Sequence, residues 1–285
     1  MSWTTRPCTS ADAAAITELA RRHDLAEFGT VEVELSDIEQ ILGGDGEGVV
    51  ALNDADGAAV GFAHVKPSGE CETFVDPAYD PRMRRALIEL LRVRGRALGA
   101  VKLEHWTGPA ERFTAPLLAA LGFQRATTTW QLRHDLSGLP EPVWPEGVLL
   151  HPFDLERHGR EVWEVVTEAF RHTGLSRDRD YEEWAWLSLT DADVLCARRA
   201  GRLVGAATHG TRLGCGYVRQ LAVDQAERGR GLGRARLLEA CRRDRDHGLP
   251  ATTLSVDGRN DRARRLYDSI GMTVTQEYRR WDLAL

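Results

Sequence analysis

Residues 218–236 read Val-Arg-Gln-Leu-Ala-Val-Asp-Gln-Ala-Glu-Arg-Gly-Arg-Gly-Leu-Gly-Arg-Ala-Arg, and this stretch decides the fold. The mostly apolar run from Tyr217 to Val223 contains β-branched residues and predicts a strand. Asp224-Gln225 predicts the turn that ends it. Because glycines and arginines follow where a helix should begin, the stretch predicts a strand, a polar turn and a helix with an open N-terminus.

The glycines at the start of the predicted helix leave its backbone exposed. Because they carry no side chains, several N–H groups can point outward, where the positive end of the helix dipole also favours an anion. Arginines in the same segment add charge-assisted donors. The residues concerned are Gly229, Gly231 and Gly233 with Arg228, Arg230 and Arg234. We expect this segment to hold a pyrophosphate.

The spacing of the glycines distinguishes between kinds of phosphate site. Residues 229–234 have no glycine at the sixth place of G-x-G-x-x-G, and they lack the G-K-[S/T] ending of a P-loop. Residues 228–233, Arg-Gly-Arg-Gly-Leu-Gly, instead match [R/Q]-x-x-G-x-[G/A], so the chain resembles the GNAT superfamily of N-acetyltransferases at its acyl-CoA signature. A flexible glycine hinge with solvated arginines is the alternative interpretation of this motif alone.

A second match to the same family lies downstream. Residues 252–256 predict a strand, and residues 260–271 predict a helix that ends at a glycine. The family's second signature resembles this order: a strand, an asparagine, an alanine three residues later, Leu-Tyr, and then a glycine with an apolar residue. The chain has Asn260, Ala263, Leu266-Tyr267 and Gly271-Met272 at these places. Two motifs in the family's order favour the acetyltransferase fold over a simple hinge.

The order of features repeats within the chain. The matching pairs are Gly57–Ala63 with Gly201–Ala207, Phe74–Asp76 with Ala222–Asp224, Leu121–Phe123 with Ile270–Met272, and Trp130–Leu132 with Trp281–Leu283. A length of 285 residues also suits two domains. We expect an α/β (α+β, mixed-sheet) protein, a tandem duplication of the GNAT fold in which each half is a mixed, mostly antiparallel sheet flanked by helices. The expected domains are 1–137 and 148–285, joined by a linker at 138–147 that is rich in proline and glycine.

The two halves differ at their phosphate loops. In place of the glycine loop, the N-terminal half has Asp-Pro-Arg-Met-Arg-Arg at residues 80–85. There Pro81 offers no N–H, and the side chains of Met83 and Arg85 would occupy space that a pyrophosphate needs. Leu118 stands where the C-terminal half has Tyr267. We expect a degenerate N-terminal domain and a catalytic C-terminal domain, although the N-terminal arginines could hold a phosphate by charge alone.

The resemblance implies that acetyl-CoA is the acyl donor. It also implies that the strand from Gln220 to Val223 splays from its neighbour, so that backbone groups hold the pantetheine arm and the thioester carbonyl. The cofactor contacts that it implies are Leu221, Ala222, Val223, Arg228, Gly229, Arg230, Gly231, Leu232, Gly233, Arg234 and Asn260. A helix N-cap is a second role open to Asn260.

Tyr267 matches the tyrosine that protonates the coenzyme A thiolate in many members of the family. A phenol with a pKa of about 10 can donate to a thiolate that forms beside it. The alternative is a tyrosine that anchors its helix against the sheet. Because none of the five cysteines is an obvious nucleophile, we expect direct transfer in a ternary complex and not a ping-pong route.

The sequence identifies no general base. Several relatives have a glutamate on the fourth strand, where this chain has Arg219 or Gln220, neither of which accepts a proton at neutral pH. A water relay is one alternative. Glu182, Glu183 and His209 are the others, and for each of them a solvated surface position is the favoured interpretation.

The acceptor is expected to be an amine, on a small molecule more readily than on a protein. Trp184 and Trp186 lie in the segment that shapes the acceptor pocket in this family, and residues two apart on a helix do not share a face. We therefore expect one of them in the core and one in the groove, with both in the core as the alternative. If Arg219 faces the groove, it could pair with a carboxylate or phosphate of the acceptor. The tandem architecture and the two motifs resemble the mycothiol synthase group of the family.

Charge and composition limit the remaining functions. With 37 Lys and Arg against 43 Asp and Glu, the net charge of −6 argues against nucleic-acid binding. Five cysteines without metal spacing and an N-terminus without an apolar run predict a reduced, cytoplasmic protein with no metal and no membrane segment. We expect a monomer or homodimer. A non-catalytic acyl-CoA sensor or scaffold is the alternative function.

Overall fold

The computed structural model describes residues 2–79, 81–108, 113–171, 180–189 and 192–285. The chain forms two compact units. The first unit comprises Met1–Thr129 with Gln276–Leu285, and the second unit comprises Trp130–Thr275. Each unit contains a mixed sheet with helices beside it, so the predicted fold class is confirmed.

The two units are not consecutive halves of the chain. The C-terminal strand β12 (Thr273–Ala284) pairs antiparallel with β5 (Lys102–Thr107) in the first unit. Strand β6 (Gln124–His134) contributes its residues from Trp130 onward to the second unit. The compact units are thus bounded differently from the division expected at 138–147, because an alternating apolar pattern does not specify which sheet a terminal strand joins. As limits of the repeated halves, 1–137 and 148–285 stay a prediction.

The first unit builds its sheet in the order β1-β2-β3-β4-β5-β12. Its other strands are β1 (Trp3–Pro7), β2 (Glu47–Asn53), β3 (Ala59–Val65) and β4 (Glu70–Val75), and its helices are α1 (Ala13–Glu27), α2 (Leu35–Gly43), α3 (Pro81–Ala97) and α4 (Thr114–Ala120). Strands β1 to β4 pair antiparallel, whereas β4 and β5 run parallel and are connected by α3.

The core of the first unit forms where α3 covers the sheet. Met83, Leu87 and Leu91 recur at helical spacing on its buried face and pack with β3 and β4 residues. On β3, a Cβ added at Gly61 would lie 3.0 Å from the Leu87 Cδ1 and the Met83 Sδ. This glycine therefore lets the helix approach the sheet closely.

The second unit builds its sheet in the order β6-β11-β10-β9-β8-β7. Its other strands are β7 (Val148–His151), β8 (Ala192–Arg199), β9 (Arg202–Arg212), β10 (Cys215–Val223) and β11 (Thr252–Asp257), and its helices are α5 (Leu155–Phe170), α6 (Tyr181–Leu189), α7 (Leu232–Asp246) and α8 (Asp261–Asp268). Strands β7 to β10 pair antiparallel, and α7 connects the parallel pair β10 and β11. This is the arrangement that α3 makes with β4 and β5, as a duplication predicts.

Strands β10 and β11 separate before β10 reaches the glycine loop. Their pairing runs from Gly216 opposite Thr252 to Val218 opposite Leu254, while β10 continues to Val223. The register of β10 against β9 also shifts between Val218 and Gln220, so that Arg219 occupies a β-bulge. The second half of β10 therefore has an edge that β11 does not cover.

Candidate active site

A cavity of about 340 Å³ lies in the second unit at this open edge of β10. Its walls come from the end of α5, the second half of β10, the glycine loop and α8. Of the residues predicted to contact the cofactor or act in catalysis, the cavity is lined by Leu221, Val223, Arg228, Gly229, Gly231, Leu232, Gly233, Arg234, Asn260 and Tyr267. The structure thus brings together ten residues that the sequence distributes over two motifs.

The glycine loop has the open backbone that its sequence predicts. Gly229 and Gly231 have φ of +82° and +85°, in the left-handed region that favours glycine, and Gly231 is the N-cap of α7. No atom lies within 4 Å of the Cβ that a substitution would add at either glycine. The first-turn N–H groups of Leu232, Gly233 and Arg234 have no partner within the helix and are available to an anion.

Two arginines of the loop take different positions. Arg228 lines the cavity and braces it, since its Nε donates to the carbonyl of Val223 at 3.2 Å and its Nη2 to the carbonyl of Ala169 at 3.4 Å. Arg230 is outside the lining, with its Nη1 3.5 Å from the Glu227 Oε2. A cofactor contact of Arg230 stays a prediction, while Arg228 joins the end of β10 to the end of α5.

Ala222 is the other predicted residue whose side chain lies elsewhere. It is buried in the core with residues of α5 and β8, because neighbouring strand positions point to opposite faces. Its backbone direction follows from the ladder with β9. The N–H of Asp224 donates to the carbonyl of Val204 at 3.0 Å, and Ala222 stands opposite Ala206 in the same register.

The backbone groups of Leu221 and Val223 therefore point away from β9, toward the open edge. The Arg228 bond to the Val223 carbonyl agrees with this direction, since the N–H and carbonyl of one strand residue point the same way. The N–H groups of Leu221 and Val223 thus face the cavity edge that the family resemblance assigns to the pantetheine arm.

Six residues of the lining are not among the predicted contacts. Ala263 and Leu266 belong to the second motif, whereas Ala169, Phe170, Glu227 and Arg262 were missed by sequence reasoning. No pattern in the sequence connects the end of α5 with the glycine loop. Glu227 is buried and lies 3.2 Å from Arg199 through its Oε2, so its charge is balanced. Arg262 follows Asn260 by two residues, and its place in the first turn of α8 is the signal that could have identified it.

Tyr267 lines the cavity from the last turn of α8. It is buried, and this burial raises its pKa to about 12. The phenol therefore keeps its proton at neutral pH and can donate a hydrogen bond into the cavity.

Asn260 begins the same helix. Its Oδ1 accepts from the Ala263 N–H at 3.1 Å, which is an N-cap, and it also lines the cavity. The N-cap role is thus observed, and the pantetheine contact stays a prediction.

The three candidate bases do not line this cavity. The His209 Nε2 lies 2.8 Å from the Asp244 Oδ1, and both side chains are buried between β9 and α7. Glu182 is exposed and pairs with Arg160 at 3.2 Å. Glu183 lies in the first turn of α6. His209 is thus part of the core, and the described residues of the cavity lining hold a single carboxylate, Glu227.

The aromatic segment of α6 has one tryptophan inside and one outside. Trp184 is 3% exposed, and its Nε1 donates to the Gln220 Oε1 at 3.2 Å, whereas Trp186 is 46% exposed. The expectation that one of them lies in the core is confirmed, while a place for Trp186 in the acceptor groove stays a prediction. At the bulge, the Arg219 Nη1 donates to the Leu187 carbonyl at 3.4 Å, which directs this guanidinium toward α6.

The equivalent segment of the first unit is built around a buried ion pair. Arg84 is 3.2 Å from the Glu27 Oε1, and its Nη1 donates to the Thr114 Oγ1 at 2.6 Å. Met83 and Leu118 are buried in the core. Pro81 begins α3, while Asp80 lies outside the described residues. That this unit is degenerate stays a prediction, which the inward-facing Arg84 and the missing glycines support.

The fold and the cavity are those that the sequence predicts for an acyl-CoA-dependent acyltransferase, and comparison with known proteins assigns the chain to that class. Residues 159–272 match the acetyltransferase (GNAT) family. The chain is 32% identical to a mycothiol acetyltransferase of Thermomonospora curvata, over 91% of this chain and 88% of that protein. It is 35% identical to a mycothiol acetyltransferase of Thermobispora bispora, over 84% and 85% of the two chains.

Solved structures show the same tandem fold. A GCN5-related N-acetyltransferase from Sphaerobacter thermophilus matches with a TM-score of 0.80 and 23% identity, over 99% of this chain and 95% of the other. A tandem GNAT protein from the clavulanic acid biosynthesis pathway matches with a TM-score of 0.79 and 16% identity, over 99% and 98%. The chain belongs to the GNAT acetyltransferase family. It is an N-acetyltransferase with acetyl-CoA as donor, so the interpretation as a non-catalytic sensor or scaffold is set aside.

Two further features concern the described residues alone. No helix among them combines the length and apolar character needed to cross a bilayer. No group of three or more His, Cys, Asp or Glu side chains in that part of the chain could hold a metal ion. All five cysteines are free thiols.

Proposed function

We propose that the second unit transfers the acetyl group of acetyl-CoA directly to a primary amine of a small molecule within a ternary complex. The observation that carries this proposal is the composition of one cavity. The same space is lined by the glycine loop at the start of α7, by the uncovered edge of β10 and by the buried phenol of Tyr267. Acyl transfer from a phosphate-bearing thioester needs an anion site, an oxyanion site and a proton donor, and these three features of the cavity are our candidates for them.

The chain's residues divide the reaction among them. The N–H groups at the start of α7 bind the pyrophosphate together with Arg228 and Arg234. The N–H groups of Leu221 and Val223 face the thioester carbonyl and stabilise the negative charge that develops on its oxygen. The amine nitrogen bonds to the carbonyl carbon while the C–S bond breaks. The sulfur takes its proton from Tyr267, the proton of the amine leaves to water, and Tyr267 regains a proton from water before the next turnover, so that no proton is gained or lost overall.

The pKa of Tyr267 fits a donor to a sulfur inside the same cavity. Against a thiol in water, with a pKa of about 8.5, a phenol of pKa about 12 would be the weaker acid. Burial in the cavity raises the pKa of the departing thiol for the same reason that it raises that of Tyr267, since both anions lose their hydration. The hydrogen bond from the phenol then neutralises the sulfur as it leaves.

The cysteines support direct transfer. Burial raises the pKa of Cys196 and of Cys241 to about 11, so both stay protonated at neutral pH and are poor nucleophiles. Among the described residues that line the cavity there is no cysteine. An acetyl-enzyme on sulfur is thus disfavoured, and the amine attacks the bound thioester itself. Buried free thiols also support a reducing compartment, and we propose that the enzyme acts in the cytoplasm.

We propose that the acceptor is the amine used by mycothiol acetyltransferases. Relatives of that name match the chain at 30% identity or more over most of their length. Beside the bulge, the half-buried Gln220 offers an amide to such an acceptor, and the buried Trp184 donates to its Oε1 at 3.2 Å from behind.

The experiment compares wild type with Tyr267→Phe. The variant should lower kcat about 100-fold or more, because general-acid catalysis contributes about 10²–10⁴ in rate, while the Kd for acetyl-CoA changes less than about threefold. Tyr79→Phe, in the first unit, is the matched control and should leave both values unchanged. A wild-type rate in Tyr267→Phe would contradict the acid role. Parallel double-reciprocal lines in two-substrate kinetics would contradict the ternary complex. If the wild-type enzyme does not acetylate the amine that mycothiol acetyltransferases use, the proposed acceptor is wrong.

A further inference from the structure

Arg236 is a cation in the core of the second unit. It lies on the buried face of α7, one turn from Leu232, at a position where an amphipathic helix ordinarily has an apolar residue. Its exposure is 0%, and among the described residues it forms no ion pair. Burying a guanidinium without a carboxylate is costly, so the contacts that it makes instead are informative.

The guanidinium binds two strand carbonyls. Its Nη1 donates to the Ala222 carbonyl at 2.6 Å, and its Nη2 donates to the Leu195 carbonyl at 2.7 Å. The strand beside it makes room, since a Cβ added at Gly205 would lie 2.7 Å from that Nη1 and 3.0 Å from the Ala222 oxygen. Arg236 and Gly205 therefore form a fitted pair beneath β10.

The Ala222 carbonyl belongs to the same peptide group as the Val223 N–H. That carbonyl points toward β9 and the core, whereas the N–H at the other end of the peptide points to the open edge and the cavity. A charged donor on the carbonyl polarises the peptide and strengthens the N–H as a donor, because hydrogen bonds in a chain reinforce one another.

We propose that Arg236 is a positioning residue for acetyl transfer: from the core, it fixes and polarises the Ala222–Val223 peptide whose N–H faces the thioester carbonyl. The proposal rests on the function proposed for the second unit. Its charge, which is fully buried, also places a positive potential beneath the point where the carbonyl oxygen becomes negative. Arg236 is not among the described residues that line the cavity, so it acts through the peptide that it holds.

The test separates the acetyl carbonyl from the rest of the cofactor. Arg236→Met removes the charge and both donors, Arg236→Lys keeps the charge, and Gly205→Ala displaces the guanidinium without changing it. Arg242→Met, on the same helix at the surface, is the control. For each folded variant we would measure kcat, the Kd for coenzyme A, which has no acetyl group, and the infrared carbonyl band of bound ¹³C-labelled acetyl-CoA.

We expect Arg236→Met to lower kcat about tenfold, which is less than the roughly 10²–10³-fold cost of losing an oxyanion donor because the Val223 N–H remains, and to leave the Kd for coenzyme A within about threefold. The carbonyl band should move from its bound frequency toward that of free acetyl-CoA. Arg236→Lys should retain part of the wild-type kcat and of the bound carbonyl frequency, whereas Gly205→Ala should show the same fall in kcat and the same band shift as Arg236→Met. If Arg236→Met does not fold, Arg236→Lys and Gly205→Ala still provide the test.

An unchanged carbonyl band would overturn the proposal, as would a fall in kcat matched by an equal loss of coenzyme A affinity. Those results would assign Arg236 to scaffolding alone. Failure of the proposed function is seen separately, in the wild-type protein, as an absence of acetyl transfer or an unshifted carbonyl band on binding.

Discussion

Replacing Gly231 by aspartate places a carboxylate at the mouth of the glycine loop. Gly231 has φ of +85°, and a Cβ added there meets no atom within 4 Å. The side chain therefore fits, and the cost to folding is that of a left-handed L-residue, about 1–2 kcal/mol. Part of this is offset because an acidic side chain at a helix N-terminus gains about 0.3–1 kcal/mol from the dipole.

The effect on cofactor binding is larger. A carboxylate about 5 Å from one phosphate charge, at an effective dielectric constant of about 20, costs about 3 kcal/mol, which is about 100-fold or more in Kd. We would measure the Kd for coenzyme A by isothermal titration calorimetry, with thermal unfolding of the free protein in parallel.

Gly248→Asp is the matched control at the opposite end of α7. Gly248 has φ of +76° and equally open surroundings, but its carboxylate would meet the negative end of the helix dipole. We expect Gly248→Asp to be the less stable variant and to bind coenzyme A normally. We expect Gly231→Asp to be the more stable of the two variants and to lose coenzyme A binding. Equal binding by the two variants, or loss of binding that follows loss of stability, would refute the anion site at this loop.

Two further predictions concern pH and the mouth of the cavity. Burial lowers the pKa of three histidines in the first unit, to about 3 for one and to about 4 for the others: His23, His64 and His105. Below about pH 6.5 the unfolded chain binds protons on these histidines that the folded unit does not, so stability falls as pH falls. Burial raises the pKa of Glu72 to about 7, so in this range the folded unit binds one proton on Glu72 that the unfolded chain does not, which partly offsets the loss. A net uptake of about two protons on unfolding predicts that the free energy of unfolding falls by about 2.7 kcal/mol per pH unit between pH 6 and 5, as measured by urea unfolding. His105→Asn should about halve this slope. A free energy of unfolding that does not change over this pH range would contradict the low histidine pKa values. In the second unit, Arg262→Gln should weaken coenzyme A binding by up to about fivefold in calorimetry, because an exposed cation contributes up to about 1 kcal/mol. Arg265→Gln, on the same helix but outside the cavity lining, should leave the affinity unchanged. Equal effects of the two substitutions would exclude a local contact between Arg262 and the cofactor.

The two motifs could be predicted because their residues determine the backbone conformation of neighbouring residues in the sequence. Gly229 and Gly231 adopt positive φ where the spacing required an open helix start, and Asn260 caps the helix that its position predicted. Tyr267 lines the same cavity because the strand-helix order of the family fixes both motifs at one edge of the sheet.

What the sequence did not indicate are contacts between residues far apart in the chain. The sequence favoured a solvated surface position for His209. The side chain is instead buried, and its Nε2 lies 2.8 Å from the Oδ1 of Asp244 on α7. Arg236 reads as one more arginine of a basic helix, and its burial depends on a glycine on β9. The destination of β12 is likewise not encoded in its own alternation, since either sheet would accept the same pattern.

The central claim is that acetyl-CoA binds once per chain, in the cavity of the second unit. Native mass spectrometry of the full chain with acetyl-CoA measures this directly, with Gly231→Asp beside the wild type. We predict one acetyl-CoA per wild-type chain and none on the variant at the same concentration. Two per chain, or one that survives in Gly231→Asp, would contradict the account.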